Sequence, residues 1–225
     1  MKHGSTDPDV PRETENTIEP DVLAAWLGIG LDLRQQQALA DYAAWLIDEA
    51  VAAGGIGPAE THRIWQRHIY DSLAYVRKIP GDATSIIDVG SGVGLPGIPV
   101  AIVRPDLSVR IVDRAERRTH LARRAVRLLD LENAVVETAD ITRSRSEYDV
   151  ALFRASLPLD QAAGIVSSVV RPGGVALFGL SRREEPPMTP DPPAGVSFAL
   201  SDEADAVLDS PFWLLTMRVA DEDQA

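Results

Sequence analysis

Residues Asp88 to Gly97 read DVGSGVGLPG and follow directly on an apolar run, so that Ser85–Val89 (SIIDV) ends where the glycines begin. Five apolar-rich residues closed by clustered glycines predict a buried strand and a tight turn. The residues after the turn, 97–104, have the composition of a helix. The same alternation continues downstream. Val109–Asp113 (VRIVD), Ala134–Thr138 (AVVET), Val150–Phe153 (VALF), Val175–Gly179 (VALFG), Val196–Leu200 (VSFAL) and Trp213–Val219 (WLLTMRV) give six further strands, with helices over 114–130 and 158–170. Strands alternating with helices predict an α/β fold, a Rossmann-like, seven-stranded, mostly parallel sheet with right-handed crossovers. The last two strands leave little room between them for a crossover helix, so an antiparallel pair is expected there.

The glycine turn has two readings. From Gly92 it is G-x-G-x-x-G, the fingerprint of a dinucleotide site. From Asp88 it is D-x-G-x-G-x-G, with Gly90, Gly92 and Gly94 spaced as in loops that enclose S-adenosylmethionine. Both ligands use backbone N–H groups at a strand-to-helix turn, and both want an acid at the end of the next strand for ribose hydroxyls. Asp113 stands there, closing RIVD. Three features favour S-adenosylmethionine: Asp88 two residues before the first glycine, where it can organise the loop; the third glycine; and seven strands whose last two are close in sequence. Leu95 and Pro96 also fill the helix opening that a pyrophosphate would need. The predicted class is therefore a class I methyltransferase fold, with a hydride-transfer enzyme as the rival.

Upstream, Leu39, Tyr42, Ala43, Leu46 and Ile47 repeat at helical spacing, and one helical stretch is expected from Asp21 to about Ala53. Gly54-Gly55 ends it. Pro58 suits the first turn of another, continued by Trp65, Ile69, Leu73 and Val76 to about Arg77. The expected division is a disordered tail over 1–19, a helical N-terminal cap over 20–80, a cofactor-binding domain over 81–220 and an acidic tail over 221–225. The 225 residues carry a net charge of −12, no cysteine and four histidines (His3, His62, His68, His120) with no metal-ligand spacing. No metal is expected. Polar, Pro-rich opening residues and the lack of a long apolar run point to a cytoplasmic chain, with no membrane partner and a monomer as the simplest state. The acidity is concentrated towards the ends. Residues 110–127 hold seven arginines against Asp113 and Glu116, so an anionic partner is compatible with the sequence.

WQRHIYDSL (65–73), IIDVGSGVGLPGIPVAIVRPDL (86–107), LEN (131–133) and FRASL (153–157) together resemble one family, the bacterial 16S ribosomal RNA guanine-N7 methyltransferases, also called glucose-inhibited division protein B. The resemblance covers roughly residues 38–180. It implies methyl transfer from S-adenosylmethionine to N7 of a guanine, in 16S rRNA or a small-subunit assembly particle. It also implies that Gly90 and Leu95 meet the cofactor through the loop, that Asp113 holds the ribose, and that Asp140 and Ile141 hold the adenine. Arg154 matches an arginine at the end of the fourth strand and is the expected catalytic residue, as well as a cofactor contact. The family's lysine in L-K-G after the fifth strand is replaced by Leu177-Phe178-Gly179, and its N-L-T stretch is replaced within GGIGPAETHRIW.

Guanine N7 offers an in-plane lone pair and no proton, so attack on a sulfonium methyl needs no general base. Alignment and exclusion of water then carry the catalysis. His68 is expected to pack or hydrogen-bond within the cap, or to shape the pocket. Over 114–130, Leu121, Ala125, Leu128 and Leu129 are expected to be buried. Arg117, Arg118, Arg123, Arg124 and Arg127 then form either a solvated face paired with acids or a phosphate-contacting stripe. Two other functions fit the motifs less fully: a paralogue that methylates a small molecule, and a cofactor-binding protein without turnover.

Overall fold

The structure is a computed structural model, and it describes residues 18–141, 147–180, 182–205 and 207–221. Most of the expected tails, residues 1–17 and 222–225, and with them His3, lie outside the described residues. The chain is already anchored at Ile18, whose N–H donates to Tyr70 Oη at 2.8 Å.

The strands are β1 (Ser85–Val89), β2 (Ser108–Asp113), β3 (Ala134–Thr138), β4 (Tyr148–Arg154), β5 (Val170–Gly179), β6 (Val196–Asp202) and β7 (Trp213–Val219). They form one sheet in the order β3-β2-β1-β4-β5-β7-β6. The first five are parallel. β7 enters antiparallel between β5 and β6, and β6 pairs antiparallel with it. The short β6–β7 connection thus has the consequence expected of it. Strand order reverses between β1 and β4, and in open α/β sheets ligands bind outside the carboxyl ends at such a switch point.

Alternate residues along each strand serve two cores. Ile86, Ile111, Leu152 and Leu177 face the cap, together with α4 (Gly97–Val103) and α5 (Glu116–Leu128). Ile87, Val112, Phe153 and Phe178 face α6 (Leu159–Val169) on the other side. Cap residues Leu39, Tyr42, Leu46, Ile69 and Leu73 lie in the same apolar cluster as β1 and β2, so the cap and the sheet share one core.

The cap departs from the long helix expected over 21–53. α1 (Pro20–Leu27) stops at Gly28, whose φ of 71° provides a left-handed C-cap. α2 (Leu33–Trp45) starts afresh at Asp32, where a capping box pairs the Asp32 carboxylate with the Gln35 N–H and the Gln35 amide with the Asp32 N–H. The turn Leu46–Ala50 widens to π geometry. The second stretch is also composite: a 3₁₀ turn Pro58–Arg63, a π turn Ile64–Ile69, α3 (Tyr70–Ala74) and a 3₁₀ turn Tyr75–Lys78. On α5 the buried residues are Thr119, Ala122 and Ala125, whereas Leu128 is 60% exposed, contrary to expectation. The apolar arc is narrow, and Leu128 falls outside it. No described helix is long and apolar enough to cross a membrane.

Candidate active site

The glycine turn joins β1 to α4, with φ of 70°, 62° and 107° at Gly90, Gly92 and Gly94, values that L side chains rarely adopt. Asp88 holds the turn from within. Its Oδ2 accepts the Gly97 N–H at 2.7 Å and the Ser91 hydroxyl, and the residue is fully buried. A side chain at Gly97 would press on the same oxygen, its Cβ 2.7 Å away. The N-terminus of α4 therefore already faces an anion, the protein's own carboxylate, where a dinucleotide fold presents those N–H groups to pyrophosphate. Burial pushes the Asp88 carboxyl up to about 7, against the lowering effect of the Ser91 and Gly97 hydrogen bonds and of Arg154.

A cleft of about 450 Å³ opens beside this turn at the carboxyl edge of the sheet. Gly90, Asp113, Asp140 and Ile141 line it together, as the sequence predicts, along with Arg118 and Ser156. Asp113 is 2% exposed and already engaged: Oδ2 accepts the Gly92 N–H at 3.0 Å, Oδ1 accepts the Ala115 N–H at 2.8 Å, and Arg118 Nη2 is 3.1 Å from Oδ1. Ser156 packs so closely on Gly90 that a Cβ there would collide with it. In the lining, buried Ser156 Oγ lacks a hydrogen-bond partner among the described residues. Buried polar groups are rarely left so, and a ligand with polar ends fits the need. The volume falls in the range of about 300–1,000 Å³ usual for small-molecule sites.

The other predicted residues lie elsewhere. Gly92 and Gly94 shape the turn without lining the cleft. Leu95 is 6% exposed and belongs to the core shared with the cap, so its side chain is structural. Arg154 does not line the cleft. Its Nη2 donates to the Arg67 carbonyl at 2.5 Å and lies 3.3 Å from His68 Nδ1, bringing the cap against the end of β4. His68 is held near 4, first by burial and then by the Arg154 charge, against the opposite pull of Glu60, whose Oε2 is 3.5 Å from Nε2. It is neutral at pH 7. Ala155, with φ of 49°, turns the chain from Arg154 towards Ser156.

Sequence reasoning put Arg118 on the helix face rather than in the cleft, and missed Ser156 and a buried latch. Arg182 donates from Nε to Asp71 Oδ1 at 3.1 Å and from Nη2 to the Gln66 carbonyl at 3.1 Å, and its Nη1 reaches Asp209 and Ser210. A cation thus does stand beyond β5, three residues past Gly179, and it joins the sheet to the cap. The signal was present in RHIYDSL. Asp71 belongs to that stretch, and Ser72 Oγ donates to the His68 carbonyl at 2.5 Å. Among the described residues no acid and histidine cluster could hold a metal.

The strand order, the reversed seventh strand and a glycine turn closed by its own carboxylate define a class I methyltransferase fold. A SAM-dependent methyltransferase structure from Aquifex aeolicus superposes with a TM-score of 0.51 over 80% of this chain and 98% of that one, at 16% identity. The family model of rRNA small subunit methyltransferase G matches residues 35–186, and the chain belongs to that family. Proteins named ribosomal RNA small subunit methyltransferase G are 36% identical to it in Thermobifida fusca, over 76% of this chain and 71% of that one, and 40% identical in Acidothermus cellulolyticus, over 60% and 61%. The chain thus spans about three-fifths of the length of the Acidothermus relative.

Proposed function

We propose that this protein transfers the methyl group of S-adenosylmethionine to N7 of a guanine in 16S ribosomal RNA, in the cytoplasm, on free RNA or a small-subunit assembly particle. The observation that carries the reading is the cleft at the switch point, where Asp113, Asp140 and Ile141 converge beside a glycine turn whose helix end is closed to pyrophosphate by Asp88. Family membership supplies the acceptor.

When bound, S-adenosylmethionine supplies an electrophilic sulfonium methyl. The chain's residues would do the rest. Asp113 accepts hydrogen bonds from the ribose hydroxyls, and Ile141 gives the adenine an apolar wall beside Asp140. Gly90 lines the cleft with bare backbone, and Ser156 Oγ beside it, without a partner of its own, offers an acceptor to the ligand's ammonium end. To Arg154, at the end of β4 and held against the cap by Arg67 and His68, we assign contact with the incoming base. A fixed guanidinium there suits the acceptor sites of a guanine edge or a phosphate. No group need remove a proton from N7, so orienting the base and excluding water are what the protein contributes.

The test is incubation with labelled S-adenosylmethionine and 16S rRNA from a strain lacking the corresponding gene, followed by mapping of the label. Label on N7 of one guanine is expected. Label only on a small molecule, or none on RNA or particles, would overturn the reading.

A further inference from the structure

We propose that the outer face of α5 is the track on which the acceptor's phosphate backbone lies as the base enters the cleft. This rests on the reading of the acceptor as RNA. The helix buries Thr119, Ala122 and Ala125 against β2 and β3. The opposite side presents Arg117, His120, Arg124 and Arg127, all exposed, at spacings of three, seven and ten residues. Such positions make one continuous stripe, about 15 Å long at 1.5 Å per residue. The stripe leads from the cleft. Arg114 and Arg118, at the amino end of the helix, line the cleft mouth next to Asp113.

Local charges leave the stripe cationic. Arg117 donates to the Ala53 carbonyl, a neutral acceptor that leaves its charge in place. Arg124 pairs with Glu49 at 2.7 Å, but the side chains are 59% and 37% exposed, and exposed pairs of this kind are weak enough to be exchanged for phosphate. Arg114 and Arg127 have no ion pair among the described residues. Arg123 is turned inward, to the Val136 carbonyl and Thr138 Oγ1, and is no part of the stripe. A chain of net charge −12 whose positive face adjoins its cleft is built to draw a polyanion to that place rather than to bind one indiscriminately.

The experiment measures 16S rRNA affinity of the full chain against potassium chloride concentration, for the parent, for R117Q/R124Q/R127Q and for the matching triple lysine variant. Each phosphate contact to a single strand contributes about 0.7 to the slope of log affinity against log salt. The glutamine variant is expected to lose about 2 from that slope and about tenfold in affinity at moderate salt, while the lysine variant, of equal charge, keeps the slope. Thermal melting and S-adenosylmethionine calorimetry on the same variants separate loss of contacts from loss of fold. Unchanged slope and affinity in the glutamine variant, with the parent binding and methylating RNA, would overturn the track alone. No RNA binding or methylation by the parent would overturn the reading beneath it as well.

Discussion

Asp88 and His68 both feel the Arg154 guanidinium, and they make opposite contributions to stability as pH changes. The Asp88 carboxyl is raised to about 7 in the folded chain, above the ordinary value near 3.9, so the folded state holds a proton that the unfolded state has lost. Its contribution is full below about pH 4 and is lost as pH rises to about 7. His68, lowered from 6.5 to about 4, behaves inversely: its contribution is full above about pH 6.5 and is lost as pH falls towards 4. The two nearly cancel in the parent and separate on substitution. Urea unfolding from pH 4 to 8 should show Asp88→Asn with a stability that rises more steeply with pH than the parent's, and His68→Gln with one that rises less; parallel curves would refute both assignments. At Gly90 the effect is steric. Gly90→Ala forces a strained φ and a collision with Ser156, and we expect about 1–3 kcal/mol lost in stability and cofactor binding abolished, measured by denaturation and calorimetry.

Elements are joined by single side chains whose meaning the sequence only partly reveals. Asn133, in the LEN stretch, donates from Nδ2 towards the carbonyls of Ala101, Arg104 and Leu107, capping the end of α4 and the turn into β2. Asn133→Ala removes these contacts, while the Arg104 carbonyl keeps the Leu107 N–H, and should cost about 1–3 kcal/mol by denaturant titration, with cofactor affinity little changed. The strands were legible because their apolar runs are bounded by glycine, proline or a terminal acid, and β6–β7 because its short link permits only a hairpin. The cap was less so. Gly28 and the Asp32–Gln35 capping box end one helix and begin the next inside the stretch expected to be continuous, and the apolar spacing over 39–47 outweighs those local turn and cap signals. The π turn Ile64–Ile69 is invisible to a 3.6-residue rule. Of the site, Asp113 could be placed in the cleft from its position closing β2, and Asp140 and Ile141, beyond the end of β3, only from the family resemblance. Leu95 and Arg154 could not, since which way a loop or strand-end side chain turns is decided by the cap packed against it.

Across the whole molecule the cap is part of the site's foundation. Tyr42 Oη donates to the Val93 carbonyl at 3.0 Å within the glycine turn, and Tyr75 Oη to the Phe153 carbonyl at 2.8 Å beside Arg154. The Asp71–Arg182 pair closes the same junction, both side chains nearly buried at 8% and 11% exposure. Removing one member of such a pair strands the other charge, so Asp71→Asn should cost about 3 kcal/mol and lower methyl transfer more than cofactor affinity. An equal fall in both would mean that the junction merely supports the fold. Beneath every reading lies the cleft itself, and the most direct test is isothermal titration of S-adenosylmethionine into the full chain and its Asp113→Ala variant. One-to-one binding that weakens at least about tenfold in the variant, measured at a temperature where both ligand-free chains are folded, is the predicted result. Binding indifferent to Asp113, or NAD binding in place of S-adenosylmethionine, would contradict it.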